Sequence, residues 1–248
     1  MLGYIIIFTI IGSILSLIGG VLLLFKKHLS ETLVLDLTSF AAGVLLATAF
    51  IDLFPEAISG TENHAKIFVY ALSGMIVFFT LERFFLWFHH HHETTKEIRP
   101  SVLLITIGDS IHNFIDGVAI TSSFLVSFPL GVTTALAVAA HEIPQEIADF
   151  SVLLSQKVSK FKTLAFNGLS ALTSLLGAII TYYLAERITV LLPYIISFTA
   201  GMFIYIAASD LIPELHRSSI KKTNAWHQTA TLLFGIFLVS IIKSLINE

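Results

Sequence analysis

Cysteine is absent from all 248 residues. That excludes disulfides, thiolate metal sites and thiol nucleophiles, and leaves the compartment open. Charge is scarce as well. Asp, Glu, Lys and Arg make up 12% of the chain, against the roughly 25% typical of soluble domains, so no water-facing surface is being built. Net charge is only −3 and the basic residues are scattered through short loops, which argues against a nucleic-acid partner. No polar stretch is long enough to form a separate soluble domain. Residues 1–248 are expected to be one transmembrane domain.

What the chain has in abundance is apolar length. Hydrophobic residues make up 55%, and the mean hydropathy is +0.87. Apolar runs of about twenty residues recur throughout, the length that crosses a hydrocarbon core of roughly 30 Å. Charge, proline and glycine divide them into eight expected spans: 4–25, 33–56, 66–88, 101–125, 130–155, 163–186, 191–213 and 228–246. The expected fold class is therefore an all-α integral membrane protein. The first span is read as a helix that stays: Lys26 and Lys27 follow it, where a signal peptide would show a small-residue cleavage site. The 21 phenylalanines serve as lipid-facing and packing bulk.

Orientation follows from the basic residues. Lys26, Lys27, Lys96, Arg99, Lys157, Lys160, Lys162, Arg217, Lys221 and Lys222 fall in loops on one side, and Lys66, Arg187 and Lys243 on the other. Ten against three puts the first set in the cytoplasm and both termini outside. The chain also repeats itself. FAAGVLLATAFIDLFPEA at 40–57 aligns on FTAGMFIYIAASDLIPEL at 198–215 with a constant offset of 158. Gly43 falls on Gly201, Asp52 on Asp210, Pro55 on Pro213 and Glu56 on Glu214. The copies lie on spans that cross in opposite directions, so the expectation is an inverted repeat, an architecture common among secondary transporters.

Between the two halves stand HNFIDG at 112–117 and HEIPQE at 141–146. His112 and Asp116 are four residues apart and share a helix face, as do His141 and Gln145. Asn113 and Glu142 lie beside them. Both motifs fall about half-way across neighbouring antiparallel spans, so their side chains can meet at one point inside the membrane. A charged residue there costs about 2.5–3.5 kcal/mol on insertion scales. A divalent cation offsets that cost, and imidazole with carboxylate suits borderline metals such as Zn²⁺. Pro144 fits the same picture, because it cannot donate to the carbonyl of Ala140. The plainer reading is that these groups are polar contacts between helices.

On these two motifs the chain resembles the ZIP (Zrt/Irt-like) family of divalent metal transporters over nearly its full length. ADFSVLL at 148–154 resembles the LIV-1-like branch. The resemblance implies a 3+2+3 arrangement of eight helices with outward termini. It implies a main transport site at His112, Asp116, His141 and Gln145, and a second, adjacent site at Asn113 and Glu142. Gln145 departs from the usual glutamate or histidine. NGLSALTSLLGA at 167–178 places Ser174 where some members add a glutamate to the second site.

Other polar groups extend the path. Asp109, Glu146 and Asp149 lie toward the cytoplasmic side as candidates for a metal exit. Asp52 and Glu56 form a candidate outer mouth, and Asp210 and Glu214 an inner one. HHHHE at 89–93, with His89, His90, His91 and His92, lies in the expected cytoplasmic loop 89–99 and suits weak metal capture. His28, His64, His216 and His227 are isolated and carry no assignment. The expected partners are a metal ion as transported substrate (Zn²⁺, Fe²⁺, Mn²⁺, Co²⁺ or Cd²⁺) and the lipid bilayer of a plasma or inner membrane. A homodimer is left open. Two competing classes remain: an intramembrane zinc protease built on a degenerate HExxH, and a proton-coupled antiporter without a metal substrate. The first has Gln145 in place of its second histidine, and the second does not explain paired histidines.

The topology is testable because the background has no cysteine. A cysteine introduced beside Lys160 should label only from the cytoplasmic face, and one beside Thr61 only from outside. Reversed labelling overturns the orientation.

Overall fold

The computed structural model describes residues 1–14, 16–25, 30–91, 100–155, 157–217 and 222–246. No strand occurs among the described residues. Among the described residues eight long helical rods follow one another: α1 (Leu2–Phe25), α2 (Thr32–Ser59), α3 (His64–His91), α4 (Pro100–Val126), α5 (Phe128–Ser155), α6 (Lys160–Tyr183), α7 (Ala185–His216) and α8 (Lys222–Ile246). Six of them, α1, α2, α3, α6, α7 and α8, are long and apolar enough to cross a membrane. The other two, α4 and α5, have the length but carry polar middles, and these are the helices that bear the two motifs. The chain is a membrane protein of several apolar helices.

Helix starts follow local chemistry. Ser30 accepts from the Leu33 amide at 3.2 Å to cap α2, and Ser159 accepts from the Lys162 amide at 3.4 Å to cap α6. The seventh rod begins earlier than its apolar pattern suggests. A helical turn at Ala185–Ile188 and a 3₁₀ turn at Thr189–Leu191 lead into Leu192–Tyr205, where Pro193 sits in the first turn and costs no intrahelical bond. The α5 helix runs on through Pro144. Of the histidine run, His89, His90 and His91 form the backbone end of α3, and His92 with residues 93–99 lies outside the described residues.

Two distortions bear on the sequence repeat. Both α2 and α7 widen into π-helix, at Thr48–Leu53 and Ile206–Leu211, and these segments differ by the same 158 residues as the aligned copies. Pro55 and Pro213 lack the amide that would bond the carbonyls of Ile51 and Ser209, and each π segment lies just ahead of one of these prolines.

Helix crossings repeat in the same manner. A Cβ on Gly43 of α2 would stand 2.1 Å from the carbonyl oxygen of Leu232 on α8, and one on Gly201 of α7 would stand 1.8 Å from that of Ala71 on α3. Gly235 meets Phe40 and Gly74 meets Phe198 in the same way. Lipid supplies no hydrophobic drive between helices, so small residues that bring backbones into contact must supply the packing. The α2·α8 and α3·α7 pairs are thus built alike, while α1 packs on α5 and α6 on α4.

Gly201→Val should therefore lower thermal stability in detergent sharply. Overpacking costs about 1–3 kcal/mol where a neighbour can move, and here the neighbour is backbone. Gly168→Ala on α6, where no atom lies within 4 Å of the added carbon, should be neutral or mildly stabilising.

Candidate metal centre

Two consecutive helices converge on one point. From α4 come His112 and Asp116, one turn apart, and from α5 come His141 and Glu142. Asp116 and Glu142 are 0% exposed and His141 is 1% exposed. One ligand atom from each of the four lies within 4.8 Å of every other.

The individual distances are informative. The two Nε2 atoms are 3.1 Å apart. His112 Nε2 lies 3.6 Å from Asp116 Oδ2 and 3.6 Å from Glu142 Oε1. His141 Nε2 lies 3.3 Å from Asp116 Oδ2 and 3.9 Å from Glu142 Oε1. A tetrahedral Zn²⁺ with bonds of 2.0–2.1 Å sets its ligand atoms roughly 3.3 Å from one another. Five of the six edges of such a tetrahedron are therefore already close to length.

The surroundings point the same way. His141 Nδ1 donates to the Ala137 carbonyl at 2.9 Å. A carbonyl only accepts, so Nδ1 carries the proton and the Nε2 lone pair faces the cluster. Neither oxygen of Asp116 or of Glu142 has a hydrogen-bond partner among the described residues. Buried carboxylates without donors are costly, and four converging acceptors are the donor set a cation needs. Phe78 of α3 sets its ring edge-on to His112 at 5.3 Å, and Phe203 of α7 approaches His141 at 5.9 Å. These rings wall the site with groups from outside the motif pair.

Gln145 and Asn113 face elsewhere. Gln145 Nε2 donates to Asp109 Oδ1 at 3.2 Å, and Asn113 Nδ2 donates to the same oxygen at 3.0 Å. Ser170 of α6 donates to the other oxygen, Oδ2. Asp109 is thus the acceptor of a polar knot one turn along α4 from the histidine cluster, while Glu142 takes a place among the imidazoles. The Asn113 Oδ1 atom is left without a partner among the described residues. Farther along α5, Glu146 is 1% exposed and neither of its oxygens has a partner there, and Asp149 is half-buried.

The expected mouths differ from one another. Asp52 is buried and, with Glu56, lines a small cavity shared with Ser127, Pro129, Leu130, Thr133 and Lys243. Asp210 and Glu214 are exposed. Ser209 donates to Asp210 at 2.7 Å. Sequence reasoning missed Phe78, Phe203, Ser170 and the placing of Lys243 3.2 Å from Asp52. Apolar rings in an apolar chain carry no signal, but the free carbonyl left by Pro55 was one that pointed to a missing donor.

A family model described as ZIP Zinc transporter matches residues 2–101 and 88–243. Among curated proteins, an uncharacterized zinc transporter of Schizosaccharomyces pombe is 36% identical over 163 residues, 61% of this chain and 36% of that protein. Zinc transporter ZIP13 of Pongo abelii is 30% identical over 226 residues, 85% of this chain and 66% of the relative. Zinc transporter ZIP10 of Homo sapiens is 33% identical over 147 residues, 56% of this chain and 18% of the relative. The matched part thus spans less than two thirds of each of these relatives. ZIP13 and ZIP10 belong to the LIV-1 branch, which the ADFSVLL segment resembles.

Proposed function

The chain belongs to the ZIP zinc transporter family, and we propose that it carries a divalent metal cation across a membrane into the cytoplasm. Zn²⁺ is the first candidate, ahead of Fe²⁺, Mn²⁺, Co²⁺ and Cd²⁺, because two imidazoles favour a metal that accepts nitrogen. The ion is held by His112, Asp116, His141 and Glu142, with Gln145 and Asn113 alongside. What carries the reading is the near-tetrahedral spacing of those four ligand atoms, 3.1–3.9 Å between the two imidazole nitrogens and from each of them to the two carboxylates.

In this reading residues 1–248 form one transporter domain of eight membrane-crossing helices. Three helices precede and three follow the pair α4 and α5, with both termini outside a plasma or inner membrane. The matched π segments and matched glycine crossings support two related halves of opposite direction. Such halves permit alternating exposure of a central site by motion of one group of helices against another. Metal enters past Asp52 and Glu56 and leaves past Asp109, Glu146 and Asp149 toward Asp210 and Glu214. The histidines His89 to His92 capture metal at the cytoplasmic face.

The protease alternative gains nothing from the comparisons, since the relatives are named as transporters and not as enzymes. Its missing second histidine is Gln145, whose amide is engaged by Asp109.

Purified chain in liposomes should take up Zn²⁺. His141→Ala should weaken Zn²⁺ binding by at least the roughly 10–100-fold seen when outer partners of metal ligands are lost. Asp116→Ala should abolish uptake. Gln145→Ala should leave Zn²⁺ affinity within a few-fold of the parent, because the four ligands survive. Binding should weaken on acidification, since both Nε2 atoms must be free of protons. Parental uptake by His141→Ala and Asp116→Ala removes the site from the transport path.

A further inference from the structure

Lys243 stands where a cation would. Its Nζ lies 3.2 Å from Asp52 Oδ1 and donates to the carbonyl of Ile51. That carbonyl is available because Pro55 supplies no amide to it. Asp52 is 3% exposed, and neither of its oxygens has a well-aligned hydrogen bond among the described residues, so Lys243 answers it as a point charge. Glu56 lines the same small cavity with Ser127 and Thr133. The result is a small cavity lined by two carboxylate and two hydroxyl residues, with an ammonium at its edge and the Ile51 carbonyl on that ammonium. Oxygen cages of this kind are what divalent cations bind.

The cage is in line with the metal centre. Thr133, Ala137 and His141 are successive fourth residues on one face of α5. Eight residues at 1.5 Å each put Thr133 about 12 Å from His141 along the helix.

The other half of the repeat shows that the ammonium is not demanded by the scaffold. On α3 and α8 the matching contacts of Ala71 with Leu232 and Gly74 with Gly235 set an offset of 161. The position matching Lys243 is therefore Glu82. Glu82 accepts from Tyr205, and Asp210 accepts from Ser209. Asp52 thus holds an ammonium, whereas in the other half an acid stands at the matching position and Asp210 takes a serine hydroxyl.

We propose that Lys243 is a tethered counter-cation that occupies the Asp52 cage, and that an entering divalent ion must displace it to reach the centre. This rests on reading the chain as a cation carrier. An oxygen cage contested by an ammonium binds metal weakly, which favours onward transfer to the nitrogen-bearing site. Lys243 is a gate and a selectivity device, because a monovalent ion competes poorly with an ammonium already seated, whereas a divalent ion brings twice the charge.

Equilibrium dialysis with Zn²⁺ and liposome uptake of Zn²⁺ test it together. Lys243→Met should bind one more Zn²⁺ per chain than the parent and reach half-maximal uptake at lower Zn²⁺. The double variant Asp52→Asn/Lys243→Met should lose the extra ion. Lys243→Arg, which keeps the charge, should stay parental in stoichiometry. Should Lys243→Met not fold, Asp52→Asn alone decides the matter. It leaves an unanswered cation at the mouth, and it should raise the Zn²⁺ needed for half-maximal uptake by about tenfold, the lower range of electrostatic steering effects. Should the parent transport nothing, the dialysis count still reads the cage by itself. Parental stoichiometry in Lys243→Met, or parental uptake in Asp52→Asn, overturns the proposal.

Discussion

Two buried carboxylates with no hydrogen-bond donors, Asp116 and Glu142, are the constraint around which this structure is arranged. Neither has any exposed surface, and the helices that bear them are set among apolar rods. Left alone, each would cost about 2.5–3.5 kcal/mol at the middle of a membrane-crossing helix on insertion scales. They are tolerable because His112 and His141 converge on the same point, so a divalent cation can answer both at once. The rest of the fold keeps that point in place. Gly117 of α4 and Gly177 of α6 allow backbone contact, with a Cβ at Gly117 falling 1.9 Å from the Ser174 carbonyl oxygen. That close approach brings Ser170 to Asp109, which in turn holds Gln145 and Asn113.

The two proline-bound π segments show how one sequence element serves different ends. Each loosens its ladder at the same place in the repeat. In α2 the freed carbonyl and its neighbouring aspartate share an ammonium from α8. In α7 the aspartate takes a serine hydroxyl from its own helix. The repeat keeps its backbone device while the groups around it change.

Much of this was legible in the sequence, for identifiable reasons. Apolar length announces a membrane helix, because the bilayer sets it. The effect of Pro55 and Pro213 is local, so the repeat could be read from the D-L-x-P-E endings. His112 with Asp116 follows from helix spacing. The partnership of Gln145 did not follow. Helix geometry puts it on the face of His141, but the choice between the cluster and Asp109 depends on where α4 and α6 bring other groups. Lys243 was hidden for a related reason: it meets Asp52 and, across 192 positions of chain, the Ile51 carbonyl, and a lone lysine near a helix end reads as a snorkelling residue. The aromatic walls Phe78 and Phe203 carried no signal among 21 phenylalanines.

The central claim is that one cation is held by two imidazoles and two carboxylates. X-ray absorption at the zinc edge of the Zn²⁺-loaded protein measures that shell directly. The account predicts a four-coordinate ion with nitrogen and oxygen neighbours in equal number at about 2.0–2.1 Å, and loss of half the imidazole signal in His112→Ala. A shell of oxygen alone, or one unchanged by His112→Ala, would contradict it.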